Sequence, residues 1–362
     1  KYKFMLEGIR IIELEGLGPG PFAAMMLADL GADVIVVHRP SSSHPLMPKE
    51  NIIDRGKRSI VLDLKNNDDL ANMKKLITTA DGLIEGFRPG VMEALGLGPE
   101  VLHKDHPSLV YGRMTGWGQN GPKAKDAGHD LNYIALSGAL WYSSLPGTPP
   151  FTPPTLAGDI GGGALYLVAG ILAGLLKAQS TGKGTVIDAA IVDGSAHMMN
   201  LLMSTQAAGL LSPNRGESFL DGPPWSRCYS SADNEWISVQ CLEPKFYAVF
   251  IEKIGLKDDP DFYQQMEQSV WPKMTATLEL LFSQYPLKHW QELFENSDAC
   301  VAPVYRPQES NNHPHIAERD IWFKVNEQLQ ARSAPRFDDQ IQEPKPSPKR
   351  GEHTQEILNS IL

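Results

Sequence analysis

Residues 9–38 read IRIIELEGLGPGPFAAMMLADLGADVIVVH, and this stretch decides the fold class. Ile9 to Leu14 is an apolar run of the kind found in a strand buried within a parallel sheet. A glycine-rich loop follows, and then an apolar helix, Phe22 to Leu30, which ends at Gly31. Asp33 to His38 is a second apolar run. Strand, helix and strand in this order form a βαβ unit, so the sequence predicts an α/β protein with a parallel sheet.

The chain continues this alternation up to about residue 191. Its sequence predicts strands at 59–64, 82–85, 109–114 and 185–191, with helices at 66–80 and 160–176. The helix at 160–176 is apolar and uncharged, but it is shorter than the roughly 20 residues that span a bilayer, so a buried core helix is favoured. Beyond it the sequence predicts a long helix at 193–211, a Gly- and Pro-rich loop at 212–231, a strand at 236–240, helices at 243–254, 272–285 and 288–294, and a short helix from Glu352.

Length and composition limit the classes of function. The 362 residues suggest two domains, and the net charge of -10 leaves no broad basic excess for a nucleic acid. Three widely spaced cysteines, Cys228, Cys241 and Cys300, favour a reducing compartment over disulfides or a zinc site. No secretory signal is visible. We therefore expect a cytoplasmic protein with neither a nucleic-acid nor a membrane partner.

Residues 18–23, Gly-Pro-Gly-Pro-Phe-Ala, match the letters of the GxGxxA dinucleotide fingerprint. Pro19 and Pro21 lack the N–H groups that such a loop offers to phosphate, and Arg39 stands near the position where NAD binding needs an acid. NAD is therefore not expected, although Arg39 can receive a phosphate of another nucleotide. Tight packing of the strand on the helix explains these glycines equally well.

Six cations are concentrated in the early part of this acidic chain. Together they would suit a ligand with several phosphates, such as coenzyme A, whereas each alone is typical of a solvated surface charge. They are Arg39, Arg55, Lys57, Arg58, Lys65 and Arg88.

Two short stretches place an ionisable side chain among glycines. Residues 126–130 read Asp-Ala-Gly-His-Asp, and residues 157–163 read Ala-Gly-Asp-Ile-Gly-Gly-Gly. His129 and Asp159 can therefore serve as a pair of acid–base groups on opposite sides of one carbon atom. A solvated or capping histidine and an aspartate that caps the following helix are the structural alternatives. Glu243, before Pro244, is also typical of a helix start.

Several motifs carry a resemblance to a known family. The chain resembles the α-methylacyl-CoA racemases of the family III CoA-transferase superfamily from Gly8 to about Val304, with weaker similarity at 334–337 and 351–354. The motifs are Gly18-Pro19-Gly20-Pro21, Leu27-Ala28-Asp29-Leu30-Gly31-Ala32, Arg55-Gly56-Lys57-Arg58, Phe87-Arg88-Pro89-Gly90-Val91, Thr115-Gly116-Trp117-Gly118-Gln119, Gly128-His129-Asp130-Leu131-Asn132-Tyr133 and Asn296-Ser297-Asp298-Ala299-Cys300-Val301.

The resemblance implies an interlocked homodimer of subunits with a Rossmann-like large domain and a smaller α+β domain. Its active site would lie between the large domain of one subunit and the small domain of the other. The expected division is a large coenzyme A-binding domain at 1–190, a linker helix and loop at 191–231, a small domain at 232–318, a return linker at 319–333 and a C-terminal segment at 334–362 that rejoins the large domain.

The resemblance also assigns roles to residues. His129 and Asp159 become the two proton-transfer bases, and Glu243 a supporting acid from the neighbouring small domain. The coenzyme A part of the substrate would contact Arg39, Leu62, Asp63, Leu64, Lys65, Gly86, Phe87, Arg88, Gly128, Asp130 and Tyr133. One base would remove the α-proton to give an enolate, and the other would return a proton to the opposite face. No metal or other cofactor is expected, provided that hydrogen-bond donors stabilise the enolate oxygen.

The chain departs from the family pattern at four places. Ala94 stands where relatives carry a basic residue, and Thr155 stands where an asparagine is usual. Pro223-Pro224-Trp225 replaces a Gly-Ala-Pro-aromatic segment, and Cys241-Leu242 replaces an Ala-Ile pair before Glu243. Because most of these positions lie near the expected acyl site, they bear on the identity of the substrate more than on the type of reaction.

Two other functions fit the same motifs. In a CoA-transferase of this superfamily, Asp159 would attack the thioester carbonyl and carry the acyl group as an anhydride. Such transferases usually carry tyrosine or another residue at the position of His129, so the histidine favours racemisation. A non-catalytic acyl-CoA-binding protein would keep the fold without exchanging the α-proton. The retained His129 and Asp159 argue against that function.

Overall fold

The computed structural model describes residues 4–41 and 51–362, and the chain divides into two compact units. Unit 1 consists of Lys1–Leu140, Thr152–Met199 and Gln330–Leu362. Unit 2 consists of Trp141–Phe151 and Asn200–Leu329. The sequence-based division placed residues 141–151 in the large domain and ended that domain at residue 190, so the structural limits differ from it at both places.

A six-stranded sheet forms the centre of unit 1. Its strands are β1 (Arg10–Leu14), β2 (Asp33–His38), β3 (Arg58–Val61), β4 (Gly82–Glu85), β5 (Val110–Thr115) and β6 (Thr185–Ala190). Their order is β3-β2-β1-β4-β5-β6, and all neighbours pair in parallel. The predicted α/β class and parallel sheet are confirmed. The strand order reverses between β1 and β4, and ligands bind at such a switch point outside the carboxyl ends of the strands.

Helices cover both faces of this sheet. They are α1 (Pro19–Asp29), α2 (Asn67–Thr78), α3 (Val91–Ala94), α4 (Pro99–Asp105), α5 (Asp130–Ser137), α6 (Leu165–Thr181) and α7 (Ile191–Met198). Ile12 and Leu14 of β1 pack in a core with residues of α2, α3 and α4, while Ile11 packs in the opposite core with residues of α1 and α6. Because both faces are buried, the strands are almost continuously apolar.

The apolar segment predicted at 160–176 is a core helix, but it begins in an unexpected way. A π-helical segment, Leu156–Ala164, leads directly into α6. The combined helix is long and apolar enough to cross a membrane by length and composition. Leu167, Val168 and Ile171 are nevertheless buried in the core against the sheet, as in the core helix of a globular domain.

The prediction of one long helix at 193–211 is wrong. Helix α7 ends at Met198, and α8 (Asn200–Met203) and a 3₁₀ turn (Gln206–Ala208) follow it. The Leu, Met and Ala residues of this stretch favour a helix locally, but the chain passes from unit 1 to unit 2 at Met199. Tertiary structure therefore overrides local propensity here.

Unit 2 has an antiparallel sheet and an aromatic core. Its sheet contains β7 (Ser226–Ser230), β8 (Trp236–Gln240) and β9 (Val301–Pro303), in that order. Its remaining helices are α9 (Pro244–Lys253), α10 (Trp271–Phe282), α11 (Leu287–Phe294) and α12 (Pro314–Glu318). Strand β7 lies inside the stretch that the sequence predicts to be a loop. The buried aromatic residues are Trp225, Tyr229, Tyr247, Phe250, Phe262, Trp271, Phe282, Trp290 and Phe294.

The C-terminal segment returns to unit 1 and covers an edge of its sheet. After β10 (Trp322–Val325) and β11 (Gln328–Ala331), the chain ends in α13 (Thr354–Ile361). His353 Nδ1 and Thr354 Oγ1 accept hydrogen bonds of 3.1 and 3.0 Å from the backbone N–H groups of Ser59 and Val61 on the edge strand β3. These groups would otherwise be unpaired, as edge-strand groups commonly are.

Candidate active site

Unit 1 contains a cavity of about 770 Å³ beside the carboxyl ends of β1, β2, β4 and β5. This is the position that the strand order predicts for a ligand, and the volume is typical of a small-molecule site. The lining residues are Glu15, Gly16, Leu17, Gly18, Pro19, Arg39, Ser41, Gly86, Phe87, Arg88, Met114, Thr115, Gly116, Gly128, His129, Tyr133, Asp159 and Ile191. Eight of the site residues predicted from the sequence therefore line one cavity. They are Arg39, Gly86, Phe87, Arg88, Gly128, His129, Tyr133 and Asp159.

His129 lines the cavity from the start of helix α5. Its backbone is extended, and its N–H donates a 3.1 Å hydrogen bond to Oδ1 of Asn132, three residues into the helix. Such a hydrogen bond, between the backbone of the N-cap residue and a side chain in the first turn, stabilises the start of the helix. The backbone of His129 is therefore fixed at a helix start beside the cavity that the residue lines.

Asp159 lines the same cavity from within the π-helical segment. Its backbone N–H donates a 2.7 Å hydrogen bond to Oδ1 of Asp130, the residue that follows His129. Thr155, not Asp159, occupies the N-cap position of the segment, so the predicted capping alternative does not apply. The Asp130 contact ties the two loops that carry His129 and Asp159 to each other.

The Asp159 carboxyl group has an unusual protonation equilibrium. Partial burial raises its pKa, the nearby Asp130 carboxylate raises it further, and His129 opposes the shift; together they raise the pKa of Asp159 to about 6. A carboxyl group with a pKa close to physiological pH can both take and give a proton. A perturbed carboxyl beside a histidine in a cavity is typical of a catalytic site.

The glycines around His129 accommodate aromatic side chains. The Tyr133 hydroxyl donates to the carbonyl oxygen of Gly128, and the Tyr133 and Trp117 rings meet edge to face at 4.7 Å. A Cβ added at Gly116 would lie 1.9 Å from Cζ of Tyr133, and one added at Gly128 would lie 2.8 Å from its Cε1. These glycines thus allow Tyr133 to reach the wall of the cavity.

The glycines around Asp159 serve close packing of the protein itself. A Cβ at Gly158 would lie 2.2 Å from Oδ1 of Asp130, and one at Gly194 of α7 would lie 1.8 Å from the carbonyl oxygen of Gly162. These two glycines therefore serve contacts within the protein and not the approach of a ligand. Gly18 is the exception. It lines the cavity with a φ of +72°, and a Cβ added to it would lie 3.5 Å from Oδ2 of Asp159.

Among the described residues, two exposed arginines line the cavity. The guanidinium carbon of Arg39 lies 6.0 Å from the centre of the Phe87 ring. Arg88 follows Phe87 in the loop after β4 and also lines the cavity. Buried Glu85 holds this loop, since its carboxylate accepts a 2.8 Å hydrogen bond from the Phe87 N–H and another of 2.8 Å from Arg113. The cavity therefore offers cations for an anionic ligand.

Three of the other early cations are structural. The Arg55 guanidinium lies 2.7 Å from Asp29, Arg58 lies 2.7 Å from Asp33, and buried Lys57 lies 2.7 Å from Glu13. Burial raises the pKa of Glu13 to about 8 in spite of Lys57. These ion pairs lie inside unit 1 and do not line the cavity, so they correct the expectation that all six cations are either ligand contacts or solvated charges.

The segment from Leu62 to Lys65 does not line this cavity. The Leu62 side chain is buried in the core, and Leu64 packs against the same core. Asp63 accepts a 3.1 Å hydrogen bond from the Lys65 N–H and forms a turn. Asp130, which also does not line the cavity, holds Asp159 instead. The predicted coenzyme A contacts of these residues stay predictions.

Glu243 belongs to unit 2, where it is exposed at the N-cap position of α9. The residues before it are held by Gln265, whose side-chain amide donates to the carbonyl oxygens of Cys241 and Leu242 at 2.9 and 3.0 Å. The indole N–H of Trp225 donates in turn to the Gln265 carbonyl oxygen at 2.9 Å. The role of Glu243 as a supporting acid stays a prediction.

Two of the family departures are thus linked in the core of unit 2. Trp225 and Cys241 are both fully buried there.

Thr155 has a φ of +66°, a left-handed conformation that a β-branched residue adopts at a cost and that asparagine tolerates better. Ala94 is exposed at the end of α3. Trp225, Cys241 and Thr155 therefore act first on packing and backbone conformation.

Sequence reasoning missed two carboxylates that organise the site. Glu15 and Glu85 stand at or just after the ends of β1 and β4, and in a parallel sheet such positions share one edge. This signal was available in the sequence. By contrast, no local signal connects Glu15 to Arg350, its partner 335 residues later.

Comparison with known proteins identifies the family of this chain. The model of CoA-transferase family III matches residues 6–354. Alpha-methylacyl-CoA racemase from Homo sapiens is 42% identical over 360 residues, which cover 98% of this chain and 93% of that protein. The racemase from Mus musculus is 40% identical over 358 residues, with 98% and 92% covered. A solved CAIB/BAIF family protein from Brucella suis has a TM-score of 0.84 at 25% identity and covers 100% of both chains. The resemblance found in the motifs is confirmed, and the chain belongs to CoA-transferase family III.

Proposed function

We propose that this protein is an α-methylacyl-CoA racemase, which interconverts the two epimers of a 2-methylacyl-CoA thioester. The observation that carries the proposal is the presence of His129 and Asp159 on the wall of one cavity. Support also comes from the two racemases that are at least 40% identical over nearly the whole chain. The physiological acyl group is not part of this proposal.

The reaction needs two bases that share one proton. One base removes the α-proton, and the electron pair of the C–H bond moves toward the thioester carbonyl to give an enolate. The protonated second base then delivers its proton to the opposite face of the α-carbon. When His129 is the base, Asp159 must enter as the carboxylic acid, and in the reverse direction Asp159 enters as the carboxylate. A pKa of about 6 makes both forms of Asp159 accessible.

The cavity supplies what the enolate and the coenzyme A moiety require. Helix α5 begins next to His129, and the positive end of its dipole favours negative charge there. Arg39 and Arg88 would pair with phosphates, and Phe87 would pack against an apolar or aromatic part of the ligand. In this proposal the residues themselves perform the proton transfer, and coenzyme A enters as part of the substrate.

We further propose that the protein acts as a homodimer in which Glu243 is supplied by the partner. Large apolar side chains on unit 1 are exposed to an extent that suits a covered surface: Leu136 of α5 is 62% exposed, and Leu176 of α6 is 69% exposed. Sedimentation velocity of the purified protein tests this part. A single species of monomer mass at micromolar concentration would contradict it.

The proposal is tested by incubating one pure epimer of a 2-methylacyl-CoA with the protein in deuterium oxide without an acyl acceptor. We expect loss of configuration together with deuterium at the α-carbon. His129→Ala should lower the racemisation rate by at least about 100-fold, the lower end of general acid–base contributions. An ester that binds but keeps both its configuration and its α-proton would contradict the racemase function.

The same variant separates racemisation from acyl transfer. If Asp159 were the nucleophile of a transferase, transfer to an added free acid would largely survive His129→Ala, whereas racemisation would collapse. Transfer matters as a control because more distant relatives carry that activity in their names, such as the acetyl-CoA:oxalate CoA-transferase from Acetobacter aceti at 30% identity.

A further inference from the structure

Arg350 of the C-terminal segment contacts two cavity residues. Its Nη1 donates a 3.0 Å hydrogen bond to Oε2 of Glu15, and its Nη2 donates to Oε1 of the same carboxylate. Nη1 also donates to the backbone carbonyl oxygen of Arg39 at 2.8 Å. A two-pronged pair between a guanidinium and a carboxylate is among the strongest and most directional contacts in proteins.

The contacts close into a ring around Arg39. The Arg39 N–H donates a 2.7 Å hydrogen bond to Oε2 of Glu15, so the N–H and the C=O of this residue are held by Glu15 and Arg350 respectively. The Arg39 guanidinium remains at the cavity near Phe87. The backbone of a cation that lines the cavity is thus fixed from both sides, on one side by Glu15 and on the other by a residue from the far end of the chain.

Arg350 also governs the charge at this wall. The Glu15 side chain is only 8% exposed and lines the cavity beside Arg39. The Arg350 guanidinium and the Arg39 N–H lower the pKa of Glu15, which therefore carries its negative charge at neutral pH. Without Arg350, that charge would repel a phosphate and attract the Arg39 guanidinium away from the ligand.

We infer that Arg350 is a positioning residue that holds Arg39 and neutralises Glu15, so that the cavity accepts the phosphate-bearing part of a coenzyme A ester. This inference rests on the proposed function only for the nature of the ligand, and it does not require that the α-proton be exchanged. It also gives a function to the return of the C-terminal segment, which brings Arg350 to the cavity wall.

The experiment measures the dissociation constants of coenzyme A and of pantetheine, which lacks the phosphorylated nucleotide, by calorimetry with the full-length protein. We expect Arg350→Ala to weaken coenzyme A binding about tenfold or more, because it removes charge-assisted hydrogen bonds and exposes an unpaired carboxylate. Binding of pantetheine should change less than about twofold on the same physical grounds. Arg350→Lys keeps the charge without the two-pronged geometry, so its loss should be smaller, about threefold.

Glu356→Gln is the matched control. Glu356 also joins the C-terminal segment to the sheet, through a 2.8 Å ion pair with Arg58, but it does not line the cavity. Glu356→Gln should bind coenzyme A like the unaltered protein. The inference is overturned if Arg350→Ala binds coenzyme A normally, or if it weakens coenzyme A and pantetheine equally. Tight binding of coenzyme A without racemisation would contradict the proposed function and leave this inference standing.

Discussion

Asp130 offers a direct test of how the protein sets the protonation of Asp159. Its Oδ1 accepts the Asp159 N–H at 2.7 Å, and its charge is the second cause, after burial, of the raised pKa of Asp159. Asp130→Asn keeps an oxygen that can accept this hydrogen bond and removes only the charge. The structure therefore predicts that the variant folds normally and that the pKa of Asp159 falls.

The expected size of the change follows from electrostatics. For carboxylates roughly 6 Å apart in a medium with an effective dielectric constant of about 40, the repulsion is about 1.4 kcal/mol, or about one pKa unit. The active form of the enzyme carries one proton on the pair of His129 and Asp159. The acidic limb of the rate profile reports addition of a second proton to this pair, which leaves neither group free to remove the α-proton. Removing a negative neighbour should move this limb about one pH unit lower.

The assay is deuterium incorporation at the α-carbon, recorded as kcat/KM between pH 4.5 and 9 for both epimers. The acidic limb of the unaltered protein should lie near pH 6, the pKa of Asp159, and the Asp130→Asn limb should lie below it. Both epimers must show the same profile, because their kcat/KM values are tied by the equilibrium constant. Within residues 4–41 and 51–362, the charged groups that act on Asp159 are His129 and Asp130, and burial, followed by the charge of Asp159, raises the pKa of Tyr133.

Asp126→Asn is the matched control. Asp126 lies in the same loop, is half exposed and pairs with Lys123 at 2.9 Å. The Asp126→Asn variant should leave the acidic limb of the rate profile in place. An unmoved limb in Asp130→Asn, or an equal movement in Asp126→Asn, would refute the reasoning.

Three further predictions concern packing and the backbone. Lys57→Met should lower the free energy of unfolding by about 3 kcal/mol, because it leaves the largely buried Asp54 carboxylate, 3.2 Å from the Lys57 ammonium, without this cation and removes the hydrogen bond to the Pro21 carbonyl oxygen; exposed Lys65→Met is the control, and thermal unfolding is the measurement. Gly116→Ala should displace the Tyr133 ring, which an added Cβ would approach to 1.9 Å; a raised KM with altered Trp117 fluorescence is expected, and unchanged values would contradict it. Thr155→Asn should raise the free energy of unfolding by roughly 1 kcal/mol, because asparagine tolerates the left-handed conformation better; an unchanged melting temperature would argue against this strain.

Much of unit 1 could be predicted from local patterns. The strands Asp33–His38 and Gly82–Glu85 were predicted at their observed limits, because turn residues bound each buried run. The sequence indicates Asn67 or Asp68 as the cap of α2, and this prediction was wrong by one or two positions. Asn66 is the N-cap, and its side chain accepts hydrogen bonds from Asp68 and Asp69. A run of Asn and Asp residues offers several caps of similar strength, so local sequence does not decide among them.

Features that depend on distant parts of the chain were not predictable. The π-helical segment is stabilised by close packing of Gly162 against Gly194, which no local periodicity reveals. Strand β7 was missed because Ser226–Ser230 is short and follows prolines, and its pairing with β8 decides its conformation. Local sequence singled out His129 and Asp159 through their glycine neighbours, but most of those glycines serve packing. The residues were therefore identified correctly as cavity residues for a partly different reason.

The central claim is that His129 and Asp159 act on opposite faces of one α-carbon, and single-base variants test it most directly. Each pure epimer is incubated in deuterium oxide with His129→Ala and, separately, with Asp159→Ala. Neither variant should racemise, but each should still exchange the α-proton that faces its remaining base, so the two variants should act on opposite epimers. If both variants exchange the same epimer, or if either still converts one epimer into the other, the two-base arrangement is wrong.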